Sequence, residues 1–298
     1  MSVKTGLFIG LGIVLAVWAW AIVTGIQVAR RHRASGTTVT GEDPMAPTGA
    51  QGVIGFVTAF FDTLGIGSFA TTTAVFKLRG MVPVKLIPGT LNVGHTLDTI
   101  AQAFIYTTLV PVEPMTLVLM IAAAVAGSWL GAGLVVSWSR YRVQMGMGIA
   151  LCGAALLLLG TQLHLLPMGG DALGLSGAKL GIGLAGNFLL GALMMLGVGL
   201  YAPCMILIYL LGMNPLASFP IMMGSCAFLM PASSVRFVKA RSYHLQASLG
   251  IALGSVPGVL IAAYLVKSLP LKYLNWLVLV VVVYTAANML LTARQQES

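Results

Sequence analysis

"DTLGIGSFATTTAVF", residues 62–76, lies inside a long apolar region, yet it carries an aspartate, two glycines, a serine and three consecutive threonines. A helix built only to cross a membrane would avoid nearly all of them. Backbone groups left unpaired in a bilayer core cost several kcal/mol each unless they are buried in protein or line a cavity. The stretch therefore predicts a helix that breaks at Gly65–Gly67 and resumes at Ser68, where hydroxyl side chains suit a helix N-terminus.

The surroundings make this a membrane question. Of 298 residues, 58% are hydrophobic and only 8% charged, against about 25% charged in soluble domains. Apolar runs of membrane-crossing length recur along the whole chain, which predicts a polytopic helical protein. Barrel strands would alternate instead. The net charge of +9 does not indicate nucleic acid, because Lys and Arg cluster between apolar runs as the positive-inside rule expects. Cys152, Cys204 and Cys226 all fall in apolar segments without metal or disulfide spacing. The run Gly6 to Val28 contains Trp18 and Trp20 and lacks a small-x-small cleavage site, so it reads as an uncleaved first helix rather than a signal peptide.

Behind it, residues 30–50 form a polar linker, expected to be cytoplasmic. Apolar segments follow at 52–78, 84–108, 114–138, 142–165, 178–211, 215–237, 245–267 and 271–292. Shifted by 132 residues, "LGIGSFATTTAVFKLRGMVPVKLIP" (64–88) lies on "LGVGLYAPCMILIYLLGMNPLASFP" (196–220) without a gap. Gly65, Gly67, Gly80, Pro83 and Pro88 fall on Gly197, Gly199, Gly212, Pro215 and Pro220. A later echo pairs "GSWLG" (127–131) with "GSVPG" (254–258), small residues four apart that let membrane helices approach closely.

The charges orient the two halves. If 52–78 and 178–211 each cross once, the sixteen Lys and Arg divide evenly. If each dips in, breaks and returns, only Lys4, Lys179, Lys267 and Lys272 lie outside and the other twelve share the inner side. The expected fold is thus an all-α polytopic membrane protein of two inverted repeats, residues 51–166 and 177–293. Each has a broken re-entrant hairpin plus three transmembrane helices, and one extra N-terminal helix (1–29) precedes them. The N-terminus would lie outside and the C-terminus in the cytoplasm.

Paired broken segments in inverted halves point to a transporter's binding site. Two half-helices starting near the midplane would aim free N–H groups and positive dipole ends inward, a ready anion site. The candidate substrate-binding residues are Gly65, Gly67, Ser68, Thr71 and Thr72, with Thr90 and Asn92 on the next segment. The candidates in the second half are Gly197, Gly199, Pro203, Cys204, Ser225 and Cys226. Threonines in membrane helices also bond back to their own backbone, and small cysteines also serve packing; both readings stand at this point. His95 and Asp98 are three apart on one helical face, so they can pair. They either knit helices together or, with Asp62, carry a coupling proton. Asp62 could instead cap the break. The second half offers no ionisable residue at the matching positions, so charge coupling would belong to the first half.

The motifs "ATTTAVFKLRGMVP" and "APCMILIYLLGMNP", each after a Gly-x-Gly break, with the later "GSWLGAG" and "GSVPGVL", resemble the sulfite exporter TauE/SafE family over about residues 50–292. The first break reads "GIGSF" where that family commonly extends the glycine run. The resemblance implies an inner-membrane transporter of sulfite, sulfonates or other small organosulfur anions. The expectation is a secondary active transporter, with a passive anion channel as the alternative. No P-loop, HExxH or G-x-S-x-G occurs, so neither an ATP-driven pump nor an enzyme is expected. Expected partners are a small anion, membrane lipid and protons, with homodimerisation left open and nucleic acid, metal and cofactor excluded.

Overall fold

The structure, a computed structural model, describes residues 3–36, 46–65, 67–83, 86–135, 170–194 and 199–266, with scattered positions in 141–163 and 276–291. The apolar segments 142–165 and 271–292 lie almost wholly outside the described residues, as does Gly197.

Ten α-helices are defined: α1 (Val3–Ala34), α2 (Gly49–Thr63), α3 (Ser68–Arg79), α4 (Ile87–Gly94), α5 (Thr96–Leu109), α6 (Pro114–Val135), α7 (Gly177–Met194), α8 (Tyr201–Leu210), α9 (Ser218–Lys239) and α10 (Leu245–Val266). No β-strand occurs among the described residues, whose one β feature is an isolated bridge between Ala172 and Met213. Among the described residues four stretches are long and apolar enough to cross a membrane: Val3–Ala34, Gly177–Met194, Pro215–Lys239 and Leu245–Leu265. Large apolar side chains such as Trp20, Val53, Trp129, Leu189 and Tyr264 face outward. The chain is an all-α membrane protein.

The segments read from the sequence reappear with internal breaks. The 52–78 run divides into α2 and α3, and 178–211 into α7 and α8. The 84–108 run, expected to be continuous, divides at His95 into α4 and α5. The linker is shorter than 30–50, because α1 continues through Arg33 to Ala34. Thr48 closes it with a capping box, its hydroxyl accepting from Gln51 N–H while the Gln51 side chain accepts from Thr48 N–H. Glu113 caps α6 by accepting from the N–H groups of Met115 and Thr116, and these bonds hold its carboxyl below the usual range.

Helix α9 occupies the middle of the molecule, buried along most of its length and packed against α1, α4, α5, α6 and α8. Its two ends locate everything else. At the end carrying Arg236 and Lys239, Gln51 at the start of α2 donates to Gln246 (3.3 Å). There too Thr90, near the start of α4, accepts from His244 N–H (2.9 Å). The starts of α2 and of α4 therefore lie at this end. At the opposite end, Glu113 N–H donates to Leu173 O ahead of α7, and Asn214 N–H, just past α8, donates to Ala172 O. The α7–break–α8 pair begins and finishes there. At about 1.5 Å per residue, 22-residue α9 separates the two ends by about 33 Å. Helices α3 (12 residues) and α8 (10 residues), which follow the breaks, span about 18 and 15 Å at that rise, about half of that separation.

The helices cross-pack between halves. Helix α2 lies along α10, and α6 along α7. A Cβ on Gly254 would fall inside contact with the carbonyl oxygen of Gly52, and one on Gly127 inside that of Phe188. Gly55 meets Ile251 O, and Gly191 meets Ala124 O, in the same way. These are two equivalent sets: 52/188 and 55/191 are each 136 apart, while 127/254 and 124/251 are each 127 apart. The small residues of the two echoed motifs thus bring α6 onto α7 and α10 onto α2, each seam joining the two halves.

Candidate functional site

The first break is a tight turn made by Gly65 and Gly67, at φ +94° and +80°, a backbone region that glycine adopts without steric cost. It delivers Ser68 as the first residue of α3. That helix N-terminus is not left bare. The Asp62 carboxylate reaches across the turn and accepts the Ser68 N–H at Oδ1. Its other oxygen accepts from Gln102 Nε2 (2.9 Å), which also donates to Thr63 Oγ1 (2.9 Å). The Gln102 carbonyl in turn accepts from the Tyr201 hydroxyl at 2.6 Å. Tyr201 is the first residue of α8. One hydrogen-bonded chain, Ser68–Asp62–Gln102–Tyr201, therefore joins the two half-helix starts.

Beside it lies a second buried unit. His95 sits at the α4–α5 break with φ −89° and ψ 8°, its N–H donating to Leu91 O (2.9 Å) and its carbonyl accepting from Thr99 N–H (3.3 Å). Its Nδ1 is 2.7 Å from Asp98 Oδ2 and its Nε2 is 3.1 Å from Thr72 Oγ1. Both His95 and Asp98 are fully buried. A neutral ring that donates Nδ1–H to Asp98 accepts the Thr72 hydroxyl proton at Nε2. Carbonyls freed by the break find partners: Val93 O accepts from Trp18 Nε1 of α1 (2.9 Å), and Asn92 O accepts from Thr96 and Ser234 hydroxyls. The first helix thus completes the backbone accounting next to His95.

Between the breaks is a small cavity of about 10 Å³, room for roughly one water. Asp62, Gly67, Ser68, Phe69 and Thr99 line it from the first half, and Met194, Gly199, Leu200, Tyr201, Cys226 and Met230 from the second. All Lys and Arg whose exposure is described are exposed, so among the described residues no cationic side chain other than His95 belongs to this centre.

Of the residues singled out from sequence, Asp62, Gly67, Ser68, Gly199 and Cys226 meet at the cavity. Thr72 is at His95 instead. Gly65 faces Met205 and Phe219. Thr71 bonds back to Gly67 O and Ser68 O. Thr90 and Asn92 tie α4 to its neighbours, Thr90 through His244 N–H and Asn92 by accepting from Ser233. Ser225 accepts from Asn187, and buried Cys204 lies within α8 beyond Pro203. Reasoning from sequence gave no role to Gln102, Tyr201, Thr99, Met194 or Met230. Tyr201 was findable as the polar-tipped residue that follows the second Gly-x-Gly; the methionines carry no such signal.

Compared with known protein families, with curated proteins and with solved structures, the chain finds no match.

Proposed function

We propose that this protein is a secondary transporter of a small anion, built from two inverted repeats that exchange access around the centre between the breaks. The observation carrying this reading is the cavity shared by Gly67–Ser68 and Gly199–Tyr201. Two half-helix starts entering from opposite ends meet there, with hydroxyl and amide donors around them. Paired broken helices of opposite entry are the arrangement in which transporters hold substrates at mid-membrane. The cavity, sized for one water, corresponds to a closed state, which favours a carrier over an open pore. The resemblance of the break motifs to the TauE/SafE family supports a sulfur oxyanion, sulfite or a short sulfonate.

Orientation follows from charge. Arg30, Arg31 and Arg33 end α1, whose Ala29 packs with Val238 and Tyr243 beside Arg236, Lys239 and Arg241. Lys179, next to Gly212, is at the other end. The basic end is the cytoplasmic face of a cell inner membrane. Lys239→Cys and Lys179→Cys proteins should be labelled by an impermeant thiol reagent from opposite sides; labelling from the same side would discard the inverted arrangement.

Uptake of labelled sulfite and methanesulfonate into proteoliposomes tests the function. Saturable uptake with mutual competition is expected. Gly199 has only Phe69 Cβ nearby, at 3.8 Å, so Gly199→Val should fold while its side chain fills the centre and cuts uptake at least tenfold. Linear, non-saturating flux would identify a pore.

A further inference from the structure

The α3 N-terminus, where an anion would bind, already holds an anion. The Asp62 carboxylate caps Ser68 N–H and lines the cavity. We propose, building on the carrier reading above, that Asp62 is a built-in stand-in for the substrate, and that it gives up the helix N-terminus by taking a proton. Transport is then one proton and one anion moving together.

The reasoning is electrostatic. An incoming anion at Ser68 and an ionised Asp62 would place two negative charges side by side in a low-dielectric centre, where like charges cannot both persist. Among the described residues no lysine or arginine is buried there to offset them. The titratable groups facing Asp62 are His95, Asp98 and Tyr106 on and beside α5, Tyr201 on α8 and Cys226 on α9. The single cationic candidate among the described residues, His95, is committed to Asp98. Asp98 does not line the cavity and its oxygens are held by His95 and Thr99 N–H. Asp62 is therefore the carboxylate in direct competition with substrate.

The steps balance. On one side water delivers a proton to Asp62, the neutral carboxyl releases Ser68 N–H, and the anion takes its place. On the other side the anion leaves, Asp62 loses its proton, and the carboxylate caps Ser68 again. For a monoanion no net charge crosses. The driving force is then the pH gradient and not the membrane potential. The Asp62–Gln102–Tyr201 bonds break in the same event, which links occupancy of the centre to separation of the two half-helix starts.

The test uses methanesulfonate, which stays fully ionised and carries no proton of its own, unlike sulfite. The full-length protein is placed in liposomes with an internal pH dye, the potential clamped by potassium and valinomycin. An inward gradient of one pH unit should drive accumulation approaching tenfold, with matching internal acidification. A potential of about 59 mV, which would produce the same tenfold accumulation in an uncoupled anion carrier, should change nothing. Asp62→Asn keeps an oxygen to accept Ser68 N–H but cannot exchange a proton; its accumulation should follow the potential and ignore the pH gradient. Wild-type accumulation that follows potential alone overturns the proposal and leaves the carrier standing, whether or not the variant folds. Asp62→Asn that still follows the pH gradient also overturns it. Absence of saturable uptake by correctly inserted wild type removes the carrier reading itself, and this inference with it.

Discussion

Replacing His95 by alanine should lower the stability of the folded protein by about 3–5 kcal/mol, the range seen when one member of a buried ion pair is removed. His95 and Asp98 are both fully buried, 2.7 Å apart, and the Asp98 oxygens have His95 and Thr99 N–H as partners. Removing the ring strands a carboxylate where water cannot reach it and leaves Thr72 without its imidazole partner. The double change His95→Ala with Asp98→Ala should recover most of the loss, because it removes the stranded charge as well. Thermal unfolding in detergent measures both. A single variant that melts with the parent would mean that the pair contributes nothing to folding and that its burial serves another purpose.

Gly254→Val should be as damaging, by about 3 kcal/mol or more, at the top of the range for over-packing. The obstacle is the backbone carbonyl of Gly52, which cannot rotate aside as a side chain would. Helices α2 and α10 would have to separate along their length. Gly127→Val should act alike on α6 and α7, against Phe188 O. Gly52→Ala, on the same α2–α10 interface but with its nearest added contact at 4.0 Å, should be mild. Equal melting of Gly254→Val and Gly52→Ala proteins would show that the close approach is not needed for stability.

Much of this fold is legible in the sequence because the bilayer imposes simple rules. Apolar length marks the helices, and the two Gly-x-Gly breaks stand out because polar and flexible residues are so costly there. The small residues of "GSWLG" and "GSVPG" announce close helix contacts, though not which helices they touch. The break at His95 is hidden, since its cause is tertiary: Thr72, Asp98 and Trp18 hold it from three other places in the chain. Thr71 had two readings, and its bonds to Gly67 and Ser68 are the local ones. Asp62 likewise had two, and capping is the one its geometry displays. Tyr201 and Gln102 meet only because the halves face each other, 99 positions apart.

The crossed packing of α2 on α10 and of α6 on α7 has a mechanical consequence. The seams of α2 on α10 and of α6 on α7 run between the sequence halves, with glycine against backbone, so any solid piece that kept them intact would take helices from both halves. Each such piece would borrow its lead helix from the other half. A cut at residues 167–176 would therefore yield two fragments that each expose an open seam, and neither could stand alone. The duplication visible in the sequence and the division of labour in motion would follow different lines through the same molecule.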